Sequence, residues 1–142
     1  MAAIRRFSWS KVWYYIVAQH LGGILASAVV YLVHLEAIDH FDPVRAANVT
    51  GDIFATYPGQ FVTITGAFID QIVGTSFLLF AILSISQGIK APDCMQPPMM
   101  TIIITGICTA LNYNCGAILN PARDFAPRLF TSLVGYGWEP FQ

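Results

Sequence analysis

Long apolar runs dominate this sequence, and they restrict its possible folds more than any other feature. The runs lie at about 12–35, 61–86 and 98–114, separated by polar, acidic or proline-containing stretches. A membrane crossing needs about 20 mostly apolar residues in helical form, which the first two runs reach and the third nearly reaches. Since backbone hydrogen bonds must be satisfied inside hydrocarbon, each run is expected to be a helix. The sequence therefore predicts an all-α membrane protein with three crossing helices, joined by loops at about 36–60 and 87–97.

The charge content supports this prediction and narrows the classes of partner. Only 11% of the residues are charged, whereas a soluble domain usually carries about 25%. The formal net charge of −1 gives no basic excess, so the expected partner is a lipid bilayer and not a nucleic acid. The cysteines and histidines show no spacing typical of a metal site or a disulfide framework, and no metal or other cofactor is expected. These residues are Cys94, Cys108, Cys115, His20, His34 and His40.

Charges flanking the first run predict its orientation. Basic residues precede it and acidic residues follow it: Arg5, Arg6 and Lys11 before, and Glu36, Asp39, Asp42 and Asp52 after. An excess of Lys and Arg marks the cytoplasmic side, so the N-terminal side is expected in the cytoplasm and the following loop outside it. That loop contains Asn48-Val49-Thr50, a glycosylation acceptor pattern that can be used only on the lumenal side.

The residues at about 115–133 predict a loop that leads into a short helix. Asn120 is a favoured N-cap, and Pro121 suits the first helical position because its missing N–H would be unpaired there anyway. Asp124 favours the positive end of the helix dipole. Directly after an apolar run, such a start places free backbone donors at membrane depth, which is tolerated only inside protein or along a water-filled cavity. Half-helix N-termini of this kind mark ion or solute sites, so the stretch predicts a pore mouth.

The sequence of this stretch resembles a known family. Asn-Pro-Ala-Arg-Asp at 120–124, continued by Phe-Ala-Pro-Arg-Leu-Phe at 125–130, resembles the second signature loop of the aquaporin family in its glycerol-conducting branch. The stretch from Thr50 to Pro58 resembles the loop between the third and fourth helices of aquaglyceroporins. The resemblance implies a partial aquaporin-like right-handed helix bundle, with three membrane-crossing helices and one re-entrant half-helix. It extends from the family's third helix through its second half-helix.

The resemblance also implies which residues line the pore. The implied pore and selectivity residues are Asn120, Pro121, Ala122, Arg123, Cys108 and Ala117, with pore-lining carbonyls from Gly116, Ala117, Ile118 and Leu119. Arg123 offers fixed donors and a permanent charge. An alternative for Arg123 is that it pairs with carboxylates or carbonyls only to hold the loop. Asp124 and Arg128 match an acid and a base that mark the glycerol branch in the family. The two residues are four apart on the predicted helix, so their side chains can pair.

Two polar residues inside the apolar runs are expected to support the structure. Asp70 lies in the second run. An ionisable residue within a membrane-crossing helix is expected to have a function, because a charge there is costly. The resemblance implies that Asp70 takes the place of a family Glu that accepts hydrogen bonds from the signature loop's backbone. The alternative is a proton relay in a carrier. Gln19, in the first run, belongs to a set of small and polar positions that suit close helix packing.

The function implied is a transmembrane channel for passive transport of glycerol, small polyols and water, excluding ions and protons. In the family such channels are homotetramers, and a plasma-membrane location is expected. Because the resemblance covers only part of a complete channel, the chain is expected to be an incomplete fragment. The alternatives are a non-conducting fragment that modulates intact subunits, and a membrane carrier using Asp70. No enzyme is expected, since no nucleophile, metal or acid pair is apparent at the pore.

Overall fold

The computed structural model describes residues 7–142, and every regular element among them is helical. Helix α1 spans Trp9–Phe41, and the short helix α2 spans Ala47–Thr50 and continues as a 3-10 turn. Helix α3 spans Ile64–Leu83 and passes into a π-helical turn, and helix α4 spans Gln96–Cys115. Helix α5 spans Pro121–Thr131, followed by the irregular turns Ser132–Tyr136 and Glu139–Phe141.

Helix α1 extends beyond the span predicted from its apolar run. It begins three residues earlier, at Trp9, and ends six residues later, at Phe41. The reason for the later end is that its last turns carry acidic and histidine side chains, which interrupt the apolar pattern without breaking the helix. Asp42 and Pro43 then end it. Of the basic residues used to predict orientation, Lys11 lies exposed on α1, and Arg5 and Arg6 lie outside the described residues.

Two of the described helices are long and apolar enough to cross a membrane. These are Trp9–Phe41 and the continuous helical stretch Ile64–Gly88. Few of their side chains are buried, so their apolar surfaces face outwards. Helix α4 has 20 residues, but two prolines near its start and two asparagines near its end make it less apolar.

The chain divides into two compact units, of which the first comprises the chain up to Ala55 and Asn120–Gln142. In this first unit α1 packs directly on α5. A Cβ atom at Gly23 would lie 2.9 Å from the Cβ of Ala126 and 3.0 Å from the carbonyl oxygen of Ala122. Small residues at these three positions allow the two backbones to approach closely.

The second unit is Thr56–Leu119, a pair of packed helices with the loop that leads out of α4. Helix α3 begins at a hydroxyl cap, since Thr63 Oγ1 accepts the N–H of Gly66 at 3.1 Å. Gly74 faces α4 closely, because a Cβ there would lie 2.8 Å from the side chain of Leu111. The small residue at Gly74 therefore allows α3 and α4 to pack closely at this point.

Candidate functional site

The N-terminus of α5 is built as its residue types predict. Asn120 has an extended backbone, and its side-chain Oδ1 accepts the N–H of Ala122 at 3.0 Å. Pro121 occupies the first helical position, and the Arg123 N–H reaches the Asn120 carbonyl at 3.1 Å. Because Oδ1 serves as the cap, the Nδ2 group is the end of the Asn120 side chain that can donate to a solute. The predicted N-cap is thus confirmed.

Arg123 lies on the first turn of α5 with its side chain 46% exposed. Its guanidinium is 3.8 Å from Asp124, which is a long contact between neighbouring residues. The side chain lines a cavity of about 220 Å³ within the first unit, together with Gly23 and Ser27 of α1 and Pro127 of α5. A permanently charged donor therefore stands at the wall of a small cavity.

The Asp124 carboxylate makes its closer contact with Arg128. Arg128 Nε donates to Asp124 Oδ2 at 2.7 Å, and its Nη1 donates to the carbonyl of Pro140. Both side chains are largely buried. The predicted pair of Asp124 and Arg128 therefore joins the second turn of α5 to Pro140. The side chain of Arg123 remains exposed to the cavity.

The loop after α4 has two residues with a positive φ angle. Gly116 has φ 67° and ψ 159°, a conformation essentially restricted to glycine. A Cβ at this position would also lie 2.6 Å from the side chain of Thr56. Leu119 has φ 49° although it is not a glycine. Such conformations persist only when surrounding contacts enforce them.

Gln71 supplies those contacts. Its Nε2 donates to the Gly116 carbonyl at 2.9 Å, and its Oε1 accepts the Ile118 N–H at 3.3 Å. An uncharged amide is suited to this task, because it offers a donor and an acceptor at once. The Gly116 carbonyl, which was expected to face the pore, accepts a hydrogen bond from Gln71.

The prediction gave this role to Asp70, and the structure places Asp70 differently. Its Oδ1 lies 3.4 Å from Asn114 Nδ2, and its Oδ2 is buried with no hydrogen-bond partner among the described residues. Successive residues on a helix point about 100° apart at 3.6 residues per turn, so only one of the two neighbours can face the loop. The sequence did not predict the role of Gln71, because an ionisable residue inside an apolar run is the stronger functional signal. An amide side chain nevertheless suits the backbone better, since it pairs with both a carbonyl and an N–H.

The remaining predicted site residues fall in both units. Cys108, half-buried on α4, and Ala117 in the loop belong to the second unit, whereas Arg123 belongs to the first. The ring predicted from these three residues stays a prediction. Gln19 lies exposed on α1.

A chain of hydrogen bonds, here called the clasp, joins three residues of the first unit: Asp42, Thr50 and Tyr136. Thr50 Oγ1 donates to Asp42 Oδ2 at 2.6 Å and lies 2.6 Å from Tyr136 Oη, from which it can accept. Burial by itself raises the pKa of Asp42, but the hydrogen bonds from Thr50 and from backbone amides outweigh it and lower the pKa. Burial also raises the pKa of the Tyr136 phenol. The clasp was not anticipated, since its members are up to 94 positions apart in the sequence.

The clasp also determines the surroundings of the glycosylation pattern. Asn48 is exposed on α2, but Thr50, the third residue of the triplet, is buried in the clasp. Next to it, Arg45 Nε donates to Tyr31 at 3.0 Å and Nη2 to Asp39 at 2.6 Å. The hydrogen bonds to Tyr31 and Asp39 raise the pKa of Arg45. The segment after α1 is thus held at several points.

Comparisons with known proteins show to which family the chain belongs. The family model described as major intrinsic protein matches residues 1–141. The chain is 45% identical over 147 residues to aquaglyceroporin-2 of Rhizophagus irregularis, which covers 99% of this chain and 46% of that relative. It is 36% identical over 148 residues to aquaporin-9 of Homo sapiens, covering 100% of this chain and 50% of that relative. The chain spans about half the length of the curated relatives it matches. From the family match and these relatives, we conclude that the chain belongs to the major intrinsic protein family, whose fold is an all-α membrane channel.

Proposed function

We propose that this chain forms part of a channel that passes glycerol, small polyols and water across a membrane and excludes ions and protons. The observation that carries the proposal is the capped start of α5, with Asn120 and Arg123 at its first turn and Arg123 lining a small cavity. At about 220 Å³ the cavity is smaller than the roughly 300–1,000 Å³ of sites for drug-sized ligands. Its size therefore suits a small polyol.

The physical mechanism follows from these groups. A solute leaving water needs replacement hydrogen bonds, which the Asn120 amide and the Arg123 guanidinium can donate. An Arg and the positive ends of half-helices are the barriers generally described for aquaporin-type pores, and Arg123 and the α5 N-terminus would have those roles here. Neither group binds a neutral solute strongly, so passage can be fast.

Several finer assignments belong to the same proposal. Cys108 and Ala117 would complete the selectivity ring, and the carbonyls of Ala117, Ile118 and Leu119 would offer acceptors. The complete assembly would be a homotetramer in the plasma membrane, with the N-terminal side in the cytoplasm. Asn48, on the opposite side of the bilayer, would then be available for glycosylation.

The test is osmotic swelling of proteoliposomes that contain the chain, with glycerol compared against the larger polyol sorbitol and insertion checked by protease protection. We expect selective glycerol influx, and we expect Arg123→Ala to lose the exclusion of ions. Lys90→Ala is the matched control, since Lys90 is an exposed cation after α3. Correctly inserted protein that does not distinguish glycerol from sorbitol would contradict the proposal.

A second candidate is that the chain does not conduct alone and instead modulates complete channel subunits. The match to only about half of each relative's length favours it. Co-reconstitution with a full-length aquaglyceroporin separates the two. A modulator lowers glycerol influx below that of the complete channel, whereas an independent channel adds to it.

Cys108 provides a separate test of the ring. A mercurial is expected to block glycerol influx by reacting with the Cys108 thiol. Cys108→Ser is expected to abolish this block. The control is Cys94→Ser, because Cys94 is exposed before α4 and is not assigned to the ring. Block that persists in Cys108→Ser would remove this residue from the ring.

A further inference from the structure

The cavity at Arg123 has a wall that the predicted ring does not include. Besides α1 and α5, the segment after α2 contributes Ile53 and Phe54 to the cavity lining. All the lining residues belong to the first unit. An apolar wall therefore lies in the same small space as the charged donor.

Phe54 anchors this wall. It is only 6% exposed, and its ring lies 6.3 Å from that of Tyr31, 6.5 Å from that of Phe130 and 6.2 Å from that of Tyr136. Backbone bonds add to this, since the N–H groups of Phe54 and Ala55 both reach the carbonyl of Gly51. Aromatic pairs at such separations favour a fixed arrangement. The backbone that carries the neighbouring residue is thus held in place.

Ile53 is the residue of this wall that can vary. This residue is 44% exposed, and the clasp residue Thr50 holds the turn just before it. A substitution at Ile53 therefore changes the cavity while the Phe54 anchor stays intact. In this wall the backbone is held in place by Phe54, and the side chain of Ile53 can be substituted.

We propose that Ile53 is a specificity-determining residue that limits the size of the polyol accepted beside Arg123. This inference rests on the proposed channel function. A polyol presents hydroxyl groups and a carbon backbone, so Arg123 meets the hydroxyls while Ile53 meets carbon. A hydrophobic contact discriminates by size, because each added carbon must fit the space that the side chain leaves.

Swelling ratios in proteoliposomes test the inference. Ile53→Ala enlarges the cavity, and we expect the ratio of xylitol influx to glycerol influx to rise by roughly threefold or more. Ile53→Trp should lower the same ratio. Val49→Ala is the control, since Val49 is exposed four residues earlier and is not among the cavity lining. If both Ile53 variants keep the wild-type ratio while Arg123→Ala still changes ion exclusion, this inference fails and the channel proposal stands.

A second measurement does not depend on conduction. Ile53→Cys and Val49→Cys are made in a chain whose three cysteines are replaced by serine, and labelling by a small impermeant thiol reagent is timed with and without glycerol. We expect glycerol to slow labelling severalfold at position 53 and to leave position 49 unchanged. Equal slowing at the two positions would overturn the inference, even if the chain alone does not conduct.

Discussion

The two units of this protein each hold an irregular segment in place, and they use opposite chemistry to do so. In the second unit one neutral amide, Gln71, binds the backbone of the loop at Gly116 and Ile118. In the first unit the segment after α1 is held by ionised and hydroxyl groups: the Asp42 carboxylate, at one end of the clasp, accepts from Thr50 Oγ1 and from the Ala46 N–H. Gln71 lies on a helix long enough to span the membrane, where a charge is costly, whereas Asp42 follows the end of such a helix. Each segment is therefore held by a kind of side chain that suits its location.

The largest expected effect concerns the backbone of the second unit. Gly116→Ala forces a side chain into a conformation that costs about 1–3 kcal/mol for other residues, and the contact with Thr56 adds overpacking of about 1–3 kcal/mol. We expect the free energy of unfolding in detergent micelles to fall by about 3 kcal/mol from these two terms.

Gly106→Ala is the control for that loss, because Gly106 lies on the adjoining helix α4 and nothing would lie within 4 Å of its Cβ. It should be neutral or stabilising by up to about 1 kcal/mol, since alanine favours a helix. Equal losses in the two variants would show that the Gly116 conformation is not required.

Gln71→Leu is the next largest change. It leaves the Gly116 carbonyl and the Ile118 N–H without this partner, and each unsatisfied buried group costs about 1–3 kcal/mol. We expect a loss of about 2 kcal/mol in the unfolding free energy, on the same scale. Thermal unfolding followed by circular dichroism measures it.

Asp70→Asn separates the two neighbours on α3. It keeps the shape of the side chain and its contact with Asn114, so we expect it to lose less than about 1 kcal/mol. A larger loss for Asp70→Asn than for Gln71→Leu would restore the role that the sequence first indicated for Asp70.

These variants also show what could be predicted from the sequence. The helical fold and the capped start of α5 follow from local features: apolar run length, and the residue types at Asn120 and Pro121. The choice between Asp70 and Gln71 does not, because it depends on which face of α3 meets the loop. The clasp could not be predicted either, since Tyr136 joins Asp42 and Thr50 only through the packing of α5 on α1.

The loss expected from breaking the clasp is smaller than the loss expected for Gln71→Leu. Thr50→Val removes the hydroxyl between Asp42 and Tyr136, leaving both without that partner, and should cost about 1–2 kcal/mol. Thr50→Ser keeps the hydroxyl and should recover most of the stability. If valine and serine behave alike at position 50, the clasp contributes packing only.

The pH dependence of stability is the measurement that best separates the two units. The pKa of Asp42 is lowered in the folded state from its usual value of 3.8. A lowered carboxyl pKa contributes stability above the unfolded-state pKa, and that contribution is lost as the pH falls through the folded-state pKa. The difference in unfolding free energy between the wild type and Asp42→Asn should therefore be constant near neutral pH and shrink below about pH 3.8, where Asp42 takes up a proton.

Gln71→Leu, in contrast, should differ from the wild type by the same amount at every pH, because a neutral amide does not titrate. If the Asp42→Asn difference stays constant into acid while the Gln71→Leu difference changes, the assignment of charged chemistry to the first unit and neutral chemistry to the second would be reversed.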